Sequence, residues 1–309
     1  MFPFVISGPG FEIDAQSINF PTALLEAHPP VRQLFGLGSQ ALVLRQTKKP
    51  GVAIVGSRRA SPQGITDAEE FARRVSAAGL TVISGLAYGI DAAAHTGALV
   101  ETGKTIAVLG HGRSSIYPRS HESLAKTICD SGGALITEYP DRIPALPHHF
   151  PQRNRIIAAL ARAVLVIEAA PRSGSLITAR HALELGIDVF VVPGSIHNPL
   201  AEGSNQLIRQ GAQLVQSPEQ LLEDLGINTS HSSPPDRTLR GSRQHGSLAE
   251  LPVADQVLQA LSEQPADVLS LSSRSGLSLG DIHTGLLLLE LHGLAARIPD
   301  GRWLKISLL

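Results

Sequence analysis

One cysteine, Cys129, in 309 residues leaves no intrachain disulfide and no cysteine-based zinc site, which fits a reducing compartment. None of the twelve histidines falls in HExxH or a comparable ligand spacing. The adjacent His148 and His149 would point apart from most backbones, so no metal is expected. Aromatic residues make up only 4% of the chain, too few to line a long surface with rings. The formal charge is −1, from 26 basic and 27 acidic residues. That balance excludes a wholly basic surface, so any anion site must be a local patch. There is no run of about 18 apolar residues, and the N-terminus lacks the regions of a signal peptide. A soluble, cytoplasmic chain without membrane contact is expected. Both common nucleotide fingerprints are also missing: no GxGxxG with an acidic ribose partner and no GxxxxGK[ST]. Dehydrogenase or P-loop ATPase chemistry is therefore poorly supported.

What is present, from Gly51 onward, is alternation. Short β-branched runs at 52–57, 80–85, 105–110, 133–138, 163–169 and 188–194 are separated by helical patterns. This predicts an α/β fold, a doubly wound, mainly parallel sheet with helices on both faces. Four of the six runs end in Gly or Ser, which places NH-rich turns at the carboxyl edge, where open sheets bind ligands. Residues 1–48 hold several breakers and read as a lead-in packed on the sheet. The Rossmann-like domain is expected over 49–226. Residues 227–250 lose apolar periodicity, fill with Ser, Pro, Gly and Arg, and read as a flexible linker. Residues 251–309 read as three helices, the first with Val253, Val257, Leu258 and Leu261 at helical spacing and the next two ending at Gly276 and Gly293, then a hairpin around Asp300-Gly301. That order is a winged-helix pattern.

Candidate binding residues cluster at the strand ends. In "GSRRASPQG", Gly56, Ser57, Arg58 and Arg59 precede a helix that Ser61 can cap and Pro62 can open, which reads as a phosphate cradle. The alternative is a tight turn with two solvated arginines. "SGLAYGIDAAAH" repeats the design with Gly85, Gly89 and Asp91, and His95 reads as a helix-packing histidine rather than a ligand contact. "GHGRSSIYPRSH" offers Arg113 and Arg119. Between residues 142 and 180 stand six arginines against Glu168 alone. Within that stretch Phe150, Arg153, Asn154 and Arg155 open one helix, and Ser173, Gly174 and Ser175 form the turn into the next. These two segments would flank one groove, with Arg162 and Arg180 outside it. Glu138 and Glu168 read as structural acids that orient an arginine, because no Ser, Cys or His completes a catalytic pair. No catalytic residue and no cofactor is expected.

The motifs "AIVGSRRAS", "VISGLAYGIDAAAH", "IYPRSH", "LITEYP", "FPQRNRIIAAL", "SGSLITARHALELG" and "GSNQLIRQGA" resemble, in unbroken order over about residues 50 to 217, the DNA-processing protein A (DprA/Smf) family. The resemblance implies a Rossmann-like domain that binds single-stranded DNA without sequence preference, forms a homodimer and loads the recombinase RecA in natural transformation. By motif match it assigns DNA contacts to Ser57, Arg58, Arg119, Phe150, Arg153, Asn154, Arg155 and the Ser173-Gly174-Ser175 turn. The chain departs from the family at Tyr88, where an arginine is usual, in "HGRSS", and at Gly203-Ser204-Asn205. It also carries at most a remnant of the family's N-terminal helical domain. With few aromatics, a phosphate-tracking groove with one or two stacking contacts, from Phe150 and Tyr88, is expected. The third C-terminal helix carries Asp281 and Glu290 and no Lys or Arg. That predicts a protein-contact or regulatory module rather than a major-groove reader. Two other classes stay open: a nucleotide-binding or phosphoribohydrolase-like enzyme on the same fold, whose Pro-Gly-Gly signature is absent, and an adaptor whose arginines meet an acidic protein.

Overall fold

The computed structural model describes residues 10–101, 104–227, 252–261, 266–291, 294–297 and 302–305. The chain divides into two compact units, residues 1–231 and 232–309. In the first, β1 (Gly10–Asp14), α1 (Ala23–Glu26), β2 (Gln33–Gly38) and α2 (Gln40–Arg45) lead into β3 (Gly51–Gly56). There follow α3 (Pro62–Ala77), β4 (Val82–Ser84), α4 (Ile90–Glu101), β5 (Thr105–Val108), α5 (Glu122–Asp130) and β6 (Ala134–Thr137). The unit continues through α6 (His149–Ala159), β7 (Ala161–Ile167), α7 (Ser175–Glu184), β8 (Asp188–Val191), α8 (Glu202–Arg209), β9 (Gln213–Leu214) and α9 (Pro218–Asp224).

The nine strands form one sheet in the order β1-β2-β6-β5-β4-β3-β7-β8-β9, parallel from β6 to β9. The apolar runs are continuous rather than alternating because both faces are covered. On β3, Ala53 and Val55 face the core made with α6 and α7, while Val52 and Ile54 face the core made with α3 and α4. On β7, Val164 and Val166 serve the first face and Ala163, Leu165 and Ile167 the second. Chain order reverses between β3 and β7, so the strand ends splay there and open a crevice at the carboxyl edge.

The first forty-odd residues depart from the expectation of a lead-in laid on the sheet. β2 pairs antiparallel with β6, and β1 pairs antiparallel with β2. Among the described residues the segment is therefore a two-strand extension of the sheet with two short helices. Phe11, Ile13 and Leu34 carry it into the core. Runs of five and six residues interrupted by glycine gave too little periodicity to announce strands.

In the second unit, α10 (Pro252–Ala260), α11 (Val268–Ser275) and α12 (Leu279–Leu291) precede the antiparallel pair β10 (Ala295–Arg297) and β11 (Trp303–Lys305). Leu261, Leu271, Ile282, Leu286, Leu289 and Trp303 form its core. Gly276 ends α11 in a left-handed conformation, φ 72°. The linker at 228–250, Gly293 and the Asp300-Gly301 turn lie outside the described residues.

His95 is fully buried on α4, its Nδ1 2.8 Å from the Thr105 hydroxyl, as expected of a packing histidine. Burial pushes its imidazole down to about 3, with the Arg153 charge acting in the same sense. The folded protein therefore keeps His95 neutral while the unfolded chain takes up a proton below about 6.5. Stability rises with pH across that window, by at most about 1.4 kcal/mol per pH unit. Urea unfolding should show about 2 kcal/mol lost from this group between pH 7 and pH 5. A His95→Gln variant should show a smaller drop, and an equal drop in both proteins would refute the assignment.

Candidate nucleic-acid interface

The crevice between β3 and β7 is a groove of about 520 Å³. Gly56, Ser57, Arg58 and Arg59 line it from the turn after β3, and Arg153 and Asn154 line it from α6. Arg172, Ser173, Gly174 and Ser175 close it from the turn after β7. Ten of the residues singled out from sequence, Asp91 among them, thus meet in one place, although they come from four chain segments. Arg172 was missed, although it stands directly before the Ser173 turn.

The arginines divide into two kinds. Arg58, Arg59 and Arg172 are exposed, and none forms an ion pair among the described residues. Arg153 is only 3% exposed. Its guanidinium donates to the Gly85 carbonyl at 2.8 Å and to the Val108 carbonyl, and its Nε donates to Asn154 Oδ1 at 3.2 Å. Asn154 Nδ2 in turn donates to the Gly174 carbonyl at 3.0 Å. Burial lowers the Arg153 pKa to about 10, opposed by the Asp91 carboxylate, so it stays charged at neutral pH. Asp91, buried beside it, accepts from the Gly85 and Ala87 amides at 3.1 and 3.4 Å; its pKa is raised by burial and pulled back by the Arg153 charge. Gly85 lies beneath the groove rather than on its wall, and a Cβ there would collide with the Arg153 guanidinium.

Three candidates stand apart from the groove. Arg155 points the other way: it is 3% exposed and makes a two-pronged pair with Glu138, at 2.7 and 2.5 Å, while its Nε donates to the Pro29 carbonyl. Glu138 orients an arginine, as expected. Arg113 is likewise consumed, by Asp141 at 2.5 Å and by the Phe11 and Gly36 carbonyls at 3.0 Å, and it ties the antiparallel edge to the body of the sheet. Arg119 is exposed in the short 3₁₀ turn before α5, beyond the groove rather than on its wall. Phe150 borders the groove half-buried, with the Arg58 guanidinium 5.5 Å from its ring centre.

The α3 terminus also corrects the phosphate-cradle reading. Ser61 does cap it, accepting from the Gly64 amide at 3.0 Å, and Pro62 opens the helix. A protein carboxylate already stands at that terminus, because Glu168 accepts from the Ser61 amide at 2.8 Å and from its hydroxyl at 2.5 Å. Glu168 therefore holds a serine rather than an arginine. It sits at φ 50°, an uncommon conformation for a residue with a side chain. The anion-attracting groups left for a ligand are the three unpaired arginines and the turn at Ser173–Ser175.

Residues 13–226 match the model of the DNA recombination-mediator protein A family, and residues 246–301 match the DprA winged helix domain. Protein Smf of Escherichia coli is 43% identical over 252 residues, 81% of this chain and 66% of that protein. The DNA processing protein DprA of Streptococcus pneumoniae is 43% identical over 205 residues, 66% of this chain and 71% of that protein. The X-ray structure of the S. pneumoniae protein superposes with a TM-score of 0.63 at 41% identity, covering 71% of this chain and 74% of that one. The Helicobacter pylori protein, solved for its single-stranded DNA binding mode, superposes with the same TM-score at 26% identity, covering 72% of this chain and 98% of that one. By family match, identity and fold, this chain belongs to the DNA recombination-mediator protein A (DprA/Smf) family.

Proposed function

We propose that the groove between β3 and β7 binds single-stranded DNA without reading its sequence, protects the strand and presents it to a recombinase of the RecA type, with the protein acting as a homodimer. The observation that carries the binding reading is the convergence of Arg58, Arg59 and Arg172, exposed and without ion pairs among the described residues, on one concave edge of a chain whose net charge is −1. Unpaired guanidinium groups track phosphates and carry no base code. The solved single-strand binding mode of the H. pylori relative supports the same ligand, and the family's role in recombination supports the recombinase partner.

Binding rather than catalysis fits the carboxylates at the site. Asp91 is held by two amides and Glu168 by Ser61, so neither is poised as a general base toward the groove. Glu168 also disfavours the small phosphorylated ligand that the nucleotide-binding alternative would require. A phosphate placed at the α3 N-terminus, the usual seat on such a fold, would meet a carboxylate.

Fluorescence anisotropy with labelled oligothymidine at several salt concentrations tests the proposal. Arg58→Ala should weaken binding about tenfold, about 1.4 kcal/mol, and lower the salt slope by about 0.7 for the lost phosphate contact. Its melting temperature should be unchanged. Unaltered affinity and slope would move the ligand elsewhere.

Arg155→Ala should do the opposite. Removing one partner of a buried pair strands Glu138 and should cost about 3 kcal/mol of stability, measured by urea unfolding. At a temperature where both proteins stay folded, strand affinity should be unchanged. Lost affinity without lost stability would return Arg155 to the contact surface.

Deleting residues 252–309 should leave strand affinity within about tenfold, because α12 carries no Lys or Arg. A larger loss in the same titration would give the C-terminal unit a direct part in DNA binding.

A further inference from the structure

All three tyrosines of the chain, Tyr88, Tyr117 and Tyr139, lie beyond the carboxyl ends of the adjacent strands β4, β5 and β6. Tyr88 and Tyr117 are 49% and 51% exposed, the only phenol, phenyl or indole rings so exposed among the described residues. In a chain with few aromatics, two such rings on one edge of the sheet are a concentrated feature.

Both are held out by buried groups. The loop of Tyr88 is pinned by the Asp91 carboxylate on the Gly85 and Ala87 amides and by the His121 ring, whose Nδ1 lies 2.9 Å from the Leu86 carbonyl oxygen. Gly89, at φ 73°, lets the loop press on the Ser57 carbonyl, where a Cβ would not fit. The Tyr117 amide donates to Nε2 of His111 at 3.2 Å. His111 is 1% exposed, and its other ring nitrogen is 2.9 Å from the Gly112 carbonyl oxygen, a donor position that fixes the neutral tautomer. Burial lowers the His111 pKa, which agrees with that neutral form.

The rings continue the groove. Arg58 stands over Phe150, and Tyr117 lies 5.5 Å from Phe150, tilted at 42°. Exposed Arg119 follows two residues after Tyr117, and the Ser120 hydroxyl donates to the Tyr88 oxygen at 3.2 Å. Tyr88 meets His121 at 71°, so no parallel ring covers either phenol. Guanidinium and aromatic groups thus lie side by side from β3 toward β5, Arg58 on Phe150, Phe150 on Tyr117 and Arg119 two residues on, the composition of a single-strand platform in which cations take phosphates and rings take bases.

Resting on the reading of the groove as a single-strand site, we infer that Tyr88 and Tyr117 form a second, base-stacking segment of the DNA path, which leaves the arginine groove at Phe150 and runs over the ends of β5 and β4. Arg119 accompanies the backbone along this segment. Stacking of this kind tolerates any base.

Anisotropy titrations with oligothymidine and with an abasic strand of equal length test the inference. The wild type should bind oligothymidine more tightly than the abasic strand. Tyr88→Ala and Tyr117→Ala should each weaken oligothymidine binding about fivefold or more, leave the abasic strand unaffected and leave the salt slope unchanged. Tyr88→Phe and Tyr117→Phe should retain affinity, since the face rather than the hydroxyl is used. Equal losses on both strands, or no loss on either, would overturn the stacking segment. A wild type that binds both strands equally would overturn it while leaving the phosphate groove in place. A wild type that binds neither strand would overturn the groove reading as well.

Discussion

A buried guanidinium needs acceptors. Arg153 finds them in the carbonyls of Gly85 and Val108, where β4 and β5 run out and strand pairing no longer supplies a partner. Through Asn154 the same hydrogen-bonded chain reaches Gly174, in the turn beyond β7. Two adjacent side chains on α6 therefore couple three strand ends that are far apart in sequence. Burying its charge costs several kcal/mol unless the charge is neutralised and hydrogen-bonded. The nearby Asp91 carboxylate, itself held by the Gly85 and Ala87 amides, supplies the opposing charge. The carboxyl edge is thus preorganised, and the exposed Arg58 and Arg172 sit on a surface whose shape is set from beneath.

That arrangement explains why arginines so close in sequence differ in role. Arg153 and Arg155 are two residues apart on α6, so they emerge about 200° apart around the helix. One faces the switch point between β3 and β7; the other faces Glu138 and the Pro29 carbonyl. A run such as "QRNR" announces positive charge, and composition alone makes every member a candidate phosphate ligand. The deciding fact is whether a carboxylate or carbonyl waits inside the fold. For Arg113 those partners come from β1, β2 and the loop around residue 141, and for Arg155 from Glu138 just past β6 and the loop around residue 29; of these elements, β1 and β2 are the strands the sequence did not announce.

The parallel strands were legible because their apolar runs are long, β-branched and mostly closed by Gly or Ser, and the helix caps at Ser61 and Gly276 were legible because capping is local. The antiparallel edge was not, since Gly10–Asp14 and Gln33–Gly38 are short and owe their conformation to pairing, β1 with β2 and β2 with β6. The groove was legible as a set of strand ends, which topology alone brings together. The occupant of the α3 terminus was not, because Glu168 reaches Ser61 across a separation of 107 residues. Sequence displays the donors of an anion site but not the internal anion that satisfies them.

Glu168 also bears on which ligands the groove favours. A carboxylate at the α3 terminus takes up the fixed dipole that would otherwise concentrate one phosphate at a point. The remaining positive groups are guanidinium side chains spread along the rim, from Arg172 through Arg59 and Arg58 toward Arg119. A single small anion would gain little from charges so distributed, because it can approach only one or two of them closely. A polyanion with regularly repeated phosphates gains from each in turn and releases counterions as it does so. On the proposed reading the edge therefore suits a strand better than a mononucleotide, and one carboxylate placed beneath the arginines sets that preference.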